Sequence, residues 1–232
     1  MSMPELFQAA PATAHACWLA EVVDVADPLR LGRVQVKLFN FGGADGHDAA
    51  VWARVAVPFA GADRGAFMIP DVGDEVLVGF VNGDFRYPIV LGGLWNGADA
   101  PPETLGGTGA RVDRWTIVGK KGTRIAIVEE MDGRAQISLT TPGGGPRVLL
   151  DETAGGTIEI EAAGSRIVID TTGITIDTPG RIQANASQVD VSAGMVNVNA
   201  AMSKFSGIVQ CDTLISTSVI SSAYTPGAGN VW

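Results

Sequence analysis

The acidic residues, histidines and glycines of this sequence could supply a metal, carboxylate or phosphate site, but their spacing fits none of these. Asp45-Gly46-His47-Asp48 offers oxygen and nitrogen ligands without the further spaced ligand of a zinc or calcium loop. Glu129 and Glu130 are adjacent, so on a strand they face opposite ways and cannot form a catalytic pair. Gly143-Gly144-Gly145 is not followed by the Lys-Ser/Thr of a phosphate-binding loop.

The sequence also lacks the residues that nucleophilic catalysis requires. There is no Gly-x-Ser-x-Gly elbow, and neither histidine, His15 or His47, accompanies a plausible serine or cysteine nucleophile. Cys17 and Cys211 are far apart and form neither a metal spacing nor a disulfide framework. We therefore predict no catalytic residues, no metal site and no cofactor, and a protein that is not an enzyme.

The charge distribution argues against a nucleic-acid partner. The net charge of −9 divides into −7 for residues 1–110, +3 for residues 111–150 and −5 for residues 151–232. Phosphate contacts need a basic face, and the first half of the chain is acidic. No basic segment precedes an apolar run at the N-terminus, and no stretch approaches the roughly 20 apolar residues of a membrane helix. We therefore expect no signal peptide and no membrane helix.

The elements that would have to position any site are short strands. In the last third of the chain, pairs of aliphatic residues flank one central residue, and the pairs recur at steps of seven to nine residues. This alternation is typical of short strands with one buried face. The aliphatic residues of the repeat are Ile158, Ile160, Ile167, Ile169, Ile174, Ile176, Ile182, Val189, Val191, Val196 and Val198.

The short step of this repeat predicts a trimer. A single-chain solenoid needs a repeat of roughly 20 residues or more, whereas seven to nine residues give one strand and a turn. Each unit is too small to bury its own apolar face, so three chains would supply three faces, with the aliphatic residues toward a shared axis. The alternation leaves open which way Val168 points. The predicted outward residues are Glu159, Glu161, Asp170, Thr175, Asp177, Gln183, Asp190 and Asn197.

The N-terminal part reads as a small barrel. Five alternating segments with turn residues between them are typical of an OB-fold; they cover residues 16–23, 32–38, 51–57, 75–81 and 88–94. The predicted fold is therefore all-β, with an N-terminal OB-fold barrel followed by a C-terminal intertwined trimeric β-helix or β-prism needle. The predicted divisions are an N-terminal arm (1–14), the OB-fold domain (15–98), a Gly/Pro-rich linker (99–110), a β neck (111–150), the β-helical shaft (151–222) and an apex segment (223–232).

The barrel segment resembles a known family. Four motifs in this order carry the resemblance: Gly32–Val36, Trp52–Val55, Pro70–Val78 and Gly83–Gly92. Together they resemble the central spike and baseplate assembly protein V family of contractile injection systems, which includes the VgrG spikes of type VI secretion. We expect structural roles for the motif residues, with positive φ at the turn glycines and prolines where strands start. The motif residues are Gly32, Arg33, Pro70, Gly73, Asp74, Gly83, Asp84, Pro88 and Gly92.

The resemblance implies a homotrimeric spike that attaches to the baseplate hub through its barrels and pierces a target envelope when the sheath contracts. It would belong to a virion or phage-tail-like particle assembled in the bacterial cytoplasm. The expected apex residues are Tyr224, Pro226, Gly227 and Trp232, which would form the tip or receive a PAAR-type tip protein. The chain shows no lysozyme-like insert and no preceding hub domain, and it lacks the His-x-His iron site that some relatives carry at the tip.

Two other functions compete with this interpretation. A β-helical polysaccharide-degrading enzyme or receptor-binding fibre would need exposed aromatic residues for sugar stacking, and the repeat has none before Phe205. An OB-fold nucleic-acid binder is disfavoured by the charge of −7 on residues 1–110.

Overall fold

The computed structural model describes residues 16–39, 50–106, 109–130 and 133–223. In these ranges the regular structure is strands and three single-turn 3-10 helices, at Val81–Gly83, Pro142–Gly144 and Thr153–Gly155. The chain divides into two compact units, residues 1–181 and residues 182–232. The predicted N-terminal arm, the Asp45–Asp48 cluster, both histidines and the four apex residues lie outside the described ranges.

The N-terminal strands close into the five-stranded barrel that the sequence predicts. Its strands are β1 (Trp18–Asp24), β2 (Val34–Leu38), β3 (Val51–Val55), β6 (Glu75–Phe80) and β7 (Pro88–Gly93). They pair in the order β1-β2-β3-β7-β6, and only the β3–β7 pair is parallel. Between β3 and β6 the two-residue strands β4 (Ala60–Gly61) and β5 (Arg64–Gly65) form a separate hairpin.

The barrel core consists of small aliphatic side chains. These buried residues alternate with exposed or half-buried ones along each strand, which is the period of a sheet with one covered face. Closure leaves no free strand edge, so the barrel satisfies its own backbone and its own core. The fully buried residues are Ala20, Val22, Val34, Val36, Ala53, Val76, Val78 and Val90.

A seven-stranded antiparallel meander follows the barrel, with strands paired in chain order. Its strands are β8 (Arg114–Val118), β9 (Arg124–Glu129), β10 (Ala135–Thr140), β11 (Arg147–Asp151), β12 (Thr157–Ala162), β13 (Ser165–Asp170) and β14 (Gly173–Asp177). The sheet passes Leu150 without interruption, because β11 pairs with β12. The segment expected as the neck and the first part of the shaft therefore share one sheet in this structure.

No strand is assigned within described residues 178–223 of the single chain, so the interchain strands expected for this part of the repeat stay a prediction. Short strands were predicted around Ile182, Val189–Val191 and Val196–Val198, and these residues are exposed. A strand requires a neighbour for its backbone groups and its apolar side chains. Within described residues 178–223, no segment provides that neighbour.

Gly73, Gly83 and Pro88 have the positions expected for them in turns and at a strand start, and Pro70 does not. Gly73 and Gly83 adopt φ of 94° and 71°, as expected for turns that need a residue without a Cβ. Pro88 is the first residue of β7, as expected for a strand start. Pro70 is an exception, because β6 begins only at Glu75 and Pro70 lies in the preceding loop. Its fixed φ therefore shapes a loop and not the start of a strand.

Gly73 gives a direct test of the β6 turn. The Gly73 N–H donates to the Val22 carbonyl at 2.8 Å, and nothing lies within 4 Å of an added Cβ, so only backbone strain opposes a side chain. We expect Gly73→Ala to lower the free energy of unfolding by about 1–2 kcal/mol. Gly92→Ala is the control, since Gly92 has equally open space without a positive φ. Urea denaturation at one protein concentration would measure both; equal losses would contradict the strain argument.

Candidate functional site

One face of the seven-stranded sheet carries an uninterrupted set of large apolar side chains. Each strand contributes two residues to it, and we call these fourteen residues the apolar stripe. They alternate with the residues of the opposite face, as the pleat of a strand requires. The stripe consists of Trp115, Ile117, Ile125, Ile127, Ile137, Leu139, Val148, Leu150, Ile158, Ile160, Ile167, Ile169, Ile174 and Ile176.

The strand register makes the stripe continuous. Trp115 lies opposite Ile127, which lies opposite Ile137 on β10. The same row continues through Leu150 and Ile158 to the last two strands. Residues directly opposite each other on an antiparallel pair have Cβ atoms about 4.5–5.5 Å apart, so neighbouring stripe residues contact one another. The two rows therefore form a single apolar surface across all seven strands.

No element in the described part of the first unit covers this surface. Twelve of the fourteen side chains are between 40% and 70% exposed, and Val148 and Ile167 are half-buried. An open concavity along the surface is lined by stripe residues of five strands, including Ile127, Leu150 and Ile169. A contiguous apolar surface of this kind marks a contact with another molecule. The stripe is therefore the candidate functional site.

The opposite face of the sheet is polar and internally neutralised. The Glu159 carboxylate accepts from Arg147 Nη2 at 2.5 Å and from Arg166 Nε, and Arg147 also approaches Glu161 at 3.5 Å. The two guanidinium groups, that of Arg166 first, lower the pKa of the Glu159 carboxyl despite its burial. The sequence places Glu159 in an outward, mutually repelling acidic set. The structure keeps it on the polar face, but only 6% exposed and paired with two arginines.

Val168 lies on this polar face, which decides the orientation that the alternation left open. It pairs across the sheet with Glu159 on β12 and Thr175 on β14, and it is 8% exposed. Its neighbours Ile167 and Ile169 therefore belong to the stripe. The apolar run at β13 does not break the alternation of the two faces.

The linker segment is attached to the sheet by ion pairs. Glu103 accepts from Arg124 Nε and, at 3.1 Å, from Arg124 Nη2, and Arg114 lies 3.9 Å away. The Arg124 guanidinium lowers the pKa of the Glu103 carboxyl. At the barrel end, Asn96 donates to the Glu75 carboxylate at 2.8 Å. Composition predicts a linker here, and the structure adds that ion pairs hold it on the polar face over β8 and β9.

The structure brings together six of the eleven predicted interface residues, those on β12, β13 and β14. The remaining five, Ile182, Val189, Val191, Val196 and Val198, belong to the second unit and are exposed without an assigned strand. An interface role for all eleven stays a prediction. Sequence reasoning missed the eight stripe residues of β8 to β11. The same alternation of apolar residues occurs in Ile125-Ala126-Ile127 and Ile137-Ser138-Leu139. These pairs recur at steps of ten to twelve residues, so they do not fit the repeat of seven to nine residues.

The polar residues of the barrel motif stabilise turns. Asp27 accepts from the Arg33 guanidinium, at 2.7 Å from Nη2, and from the backbone N–H groups of Leu29, Leu31 and Arg33. The Arg33 guanidinium holds the pKa of the Asp27 carboxyl well below its usual range. In the β6 turn Asp74 accepts from the Asp71 N–H at 2.7 Å.

Asp84 has a similar role in the loop before β7. Its carboxylate accepts from the Arg86 N–H at 2.9 Å and from Arg86 Nη2 at 2.6 Å. The Arg86 guanidinium lowers the pKa of the Asp84 carboxyl. These hydrogen bonds are local, so they order the turns in which the carboxylates lie.

Within the described part of the chain, no group of three or more histidine, cysteine, aspartate or glutamate residues could hold a metal ion. Glu130 is engaged in ion pairs with Arg114 at 3.0 Å and Arg134 at 3.1 Å. Cys17 and Cys211 are both exposed thiols. Over the described ranges, no helix has the length and apolar character to span a membrane.

Two domain families match this chain. The family described as the type VI secretion system/phage-baseplate injector OB domain matches residues 18–95, which contain the barrel. The family described as the phage baseplate V C-terminal trimerisation domain matches residues 136–203, from β10 through the last stripe strand and onward.

Relatives of this chain include two type VI secretion system spike proteins and an actin cross-linking toxin. The spike protein VgrG2a of Pseudomonas aeruginosa is 41% identical over 76 residues, which cover 32% of this chain and 9% of the relative. The spike protein VgrG4b of the same species is 34% identical over 111 residues, or 47% and 14% of the two chains. The actin cross-linking toxin VgrG1 of Vibrio cholerae is 40% identical over 57 residues, or 25% and 5%. The chain thus spans only a small part of the length of these relatives.

The buried Glu159 predicts acid sensitivity of the sheet. Its pKa is lowered in the folded state from 4.5, so its contribution to stability is complete above that value and is lost as the pH falls through the lowered pKa. We expect Glu159→Gln to destabilise the protein at pH 7, and the difference from the unmodified protein to shrink on acidification below about pH 4. Urea denaturation as a function of pH is the measurement.

Glu152→Gln is the matched control, because Glu152 is exposed at the β11–β12 turn of the same sheet. It should leave the free energy of unfolding at pH 7 nearly unchanged. A Glu159→Gln protein whose pH profile parallels that of the unmodified protein would contradict the role of the paired carboxylate.

Proposed function

Since this chain belongs to the phage baseplate V family of injector spike proteins, we propose that three copies of it form the central spike of a contractile tail or phage-tail-like particle. The spike attaches to the baseplate hub through its barrels and pierces the target-cell envelope when the sheath contracts. It acts mechanically and has no catalytic role. Its place is the baseplate of a particle assembled in the bacterial cytoplasm.

The observation that carries this proposal is the uncovered apolar stripe. Because each copy has one such face, and no element in the described part of the first unit covers it, three copies around an axis can cover one another with the same surface. Burying a large aliphatic side chain fully stabilises by about 1.5–3 kcal/mol, and the stripe side chains retain roughly half their area to bury. The match of residues 136–203 to a trimerisation domain supports three as the number.

The proposed trimer would also supply strand partners to the second unit, residues 182–232. Ile182, Val189, Val191, Val196 and Val198 repeat the apolar alternation of the stripe strands. In a trimer, neighbouring chains would supply the strand partners that one copy lacks, and these residues would face the shared axis. Tyr224, Pro226, Gly227 and Trp232 would form the apex themselves or receive a PAAR-type tip protein.

Mechanical penetration requires a shaft that neither unfolds nor adheres. An antiparallel sheet with its apolar face closed against other copies resists opening, since its five inner strands are hydrogen-bonded to neighbours on both sides. The outward face would carry the Glu159 ion pairs and an acidic surplus of −5 over residues 151–232. Such a surface is repelled by anionic envelope lipids.

Two neighbouring residues on β14 test the trimer. Ile176 is on the stripe and Thr175 on the opposite face, and both are exposed in one copy, so an aspartate at either position is compatible with the folded chain. An aspartate buried in an apolar interface costs several kcal/mol, so we expect Ile176→Asp to raise the trimer dissociation constant by at least about a hundredfold. Thr175→Asp should leave it nearly unchanged.

Light scattering coupled to size exclusion would measure the mass. The unmodified protein and Thr175→Asp should have three times the chain mass of 24.0 kDa, and Ile176→Asp should shift toward the mass of one chain. A monomeric unmodified protein, or an Ile176→Asp trimer of unchanged stability, would refute the stripe as the trimer interface.

The spike role is tested in particles that contain the chain. We expect particles without it to lack the density at the end of the tail and to lose permeabilisation of target cells. Supplying the Thr175→Asp chain should restore both, whereas supplying Ile176→Asp should not, because a chain that does not assemble cannot transmit the force of contraction. Electron microscopy and dye uptake by target cells are the measurements. Full permeabilisation by particles without the chain would contradict the proposal.

A further inference from the structure

We propose that residues 96–106, a segment we call the strap, fix the orientation of the barrel on the sheet, with Glu103 as the residue that holds the strap in place. The segment is rich in glycine, proline and alanine, a composition that by itself predicts a flexible linker. The structure instead attaches it to the barrel at one end and to the sheet at the other, within one compact unit. The inference goes beyond the spike proposal and does not depend on the number of copies.

The barrel end of the strap is ordered around Asn96. Its side-chain amide donates to the Glu75 carboxylate on β6 at 2.8 Å, and its side-chain oxygen accepts from the N–H groups of Ala98 and Asp99 at 2.8 Å. The Asn96 N–H closes the same turn by donating to the Asp99 carbonyl at 3.0 Å. Pro101-Pro102 follows, and the fixed φ of each proline limits bending before the chain reaches the sheet. The strap therefore leaves the barrel in one direction.

The sheet end of the strap is held by Glu103. Its two carboxylate oxygens accept from two nitrogens of Arg124 on β9, namely Nε and, at 3.1 Å, Nη2. This paired geometry is the strong and directional form of an arginine–carboxylate contact. Arg114 on β8 lies 3.9 Å from the same carboxylate. Because the Glu103 side chain is only 18% exposed, solvent screens these contacts less than those of an exposed ion pair.

Three residues farther along, the strap backbone closely approaches the start of β8. Gly106 has a φ of 76°, and a Cβ added there would lie 2.5 Å from Arg114 Cζ and 2.6 Å from Asp113 Oδ1. The Arg114 side chain is held where it lies, because its Nη2 donates to Glu130 at 3.0 Å and its Nε to Asp113 at 3.1 Å. The strap therefore fits against β8 only with a glycine at position 106.

The strap has more effect on the orientation of the barrel than the ion pair between Lys120 and Asp71. That pair also joins the sheet to the barrel, but its side chains are 74% and 40% exposed, and exposed ion pairs contribute little. Without the Glu103 contacts, a flexible linker of the twelve residues 99–110 would have ends about 20 Å apart on average and would let the barrel turn. A strap attached at both ends instead passes a load on the barrel directly to the sheet.

The distance between two spin labels in one full-length chain tests the strap. One label is attached to Cys17, directly before β1 of the barrel, and the other to Glu152→Cys on the β11–β12 turn, in chains that carry Cys211→Ser. Labelled chains are refolded with an excess of unlabelled chains, so that double electron–electron resonance measures distances within one chain. We expect one narrow distance distribution with the unmodified strap, and a distribution at least about twice as broad with Glu103→Gln.

Two further variants separate the Glu103 ion pair from a general effect of changing the strap. Thr104→Ala is the control, because Thr104 is the exposed neighbour of Glu103, and it should leave the width unchanged. Combining Glu103→Arg with Arg124→Glu should restore the narrow distribution, since the ion pair forms again with its charges exchanged, whereas either change alone should not.

Gly106→Ala and Gly109→Ala form a second matched pair. The two glycines have similar positive φ angles, 76° and 74°, so an alanine is strained equally at each, but nothing lies within 4 Å of a Cβ added at Gly109. Gly106→Ala should therefore broaden the distribution and Gly109→Ala should not. Equal widths for these two variants would overturn the close approach of the strap to β8.

The inference is overturned by a broad distribution in the unmodified chain, by a Glu103→Gln distribution that stays narrow, or by an exchanged ion pair that stays broad. Each of these results leaves the spike proposal intact, because that proposal is tested by the mass of the assembly and by permeabilisation of target cells. A monomeric protein with a narrow distribution would contradict the trimer and support the strap.

Discussion

An open sheet with large apolar side chains along the whole of one face must have that face covered, and in this chain no described element covers it. Seven strands each place two large apolar residues on the same side, and their registers align these residues into one surface. The remaining architecture depends on that constraint. The barrel has a buried core within one copy, whereas the sheet has an apolar face that needs another molecule to cover it. The alternation of apolar and polar residues continues past β14, where no strand is assigned. The apolar pairs of that segment would need strand partners from other copies.

The polar face shows how the register of the sheet is specified. A slip of one residue between two strands would exchange the apolar and polar faces, so a sheet with one apolar face is strongly constrained. The Arg147–Glu159–Arg166 ion pairs add a constraint, because they join β11, β12 and β13 in one register. A slip would leave a buried carboxylate without its partners, at a cost far greater than that of losing an exposed pair. The ion pairs of Glu103 with Arg114 on β8 and Arg124 on β9 also favour one register, and they hold the linker on the same face.

The barrel and the sheet differ in their strand edges: the barrel has none, whereas the sheet has two. The barrel closes on itself, buries eight small aliphatic residues and leaves its outer surface and loops free for contacts. The sheet ends in edge strands β8 and β14 and leaves one face open, so its stability is tied to assembly. In the proposed spike, the barrel is a rigid attachment module, and the shaft exists as a finished structure only in the assembled particle. The ion pair between Lys120 and Asp71 joins the two, so that load on one can pass to the other.

Three features could be predicted from the sequence: the barrel strands, the positive φ of Gly73 and Gly83, and the apolar residues on β12 to β14. Each follows from the twofold period of strands or from turn chemistry, which act between residues close in the chain. The strand pairing was needed to show that β8 to β11 share the stripe, that Val168 lies on the polar face, and that Glu159 is buried between two arginines. The tertiary structure also decided that Glu103 holds the linker to the sheet. Each of these depends on strand register or on contacts between distant residues, such as Glu103 and Arg124, and the hydrophobic pattern of a single segment contains no information about which distant residue will lie opposite it.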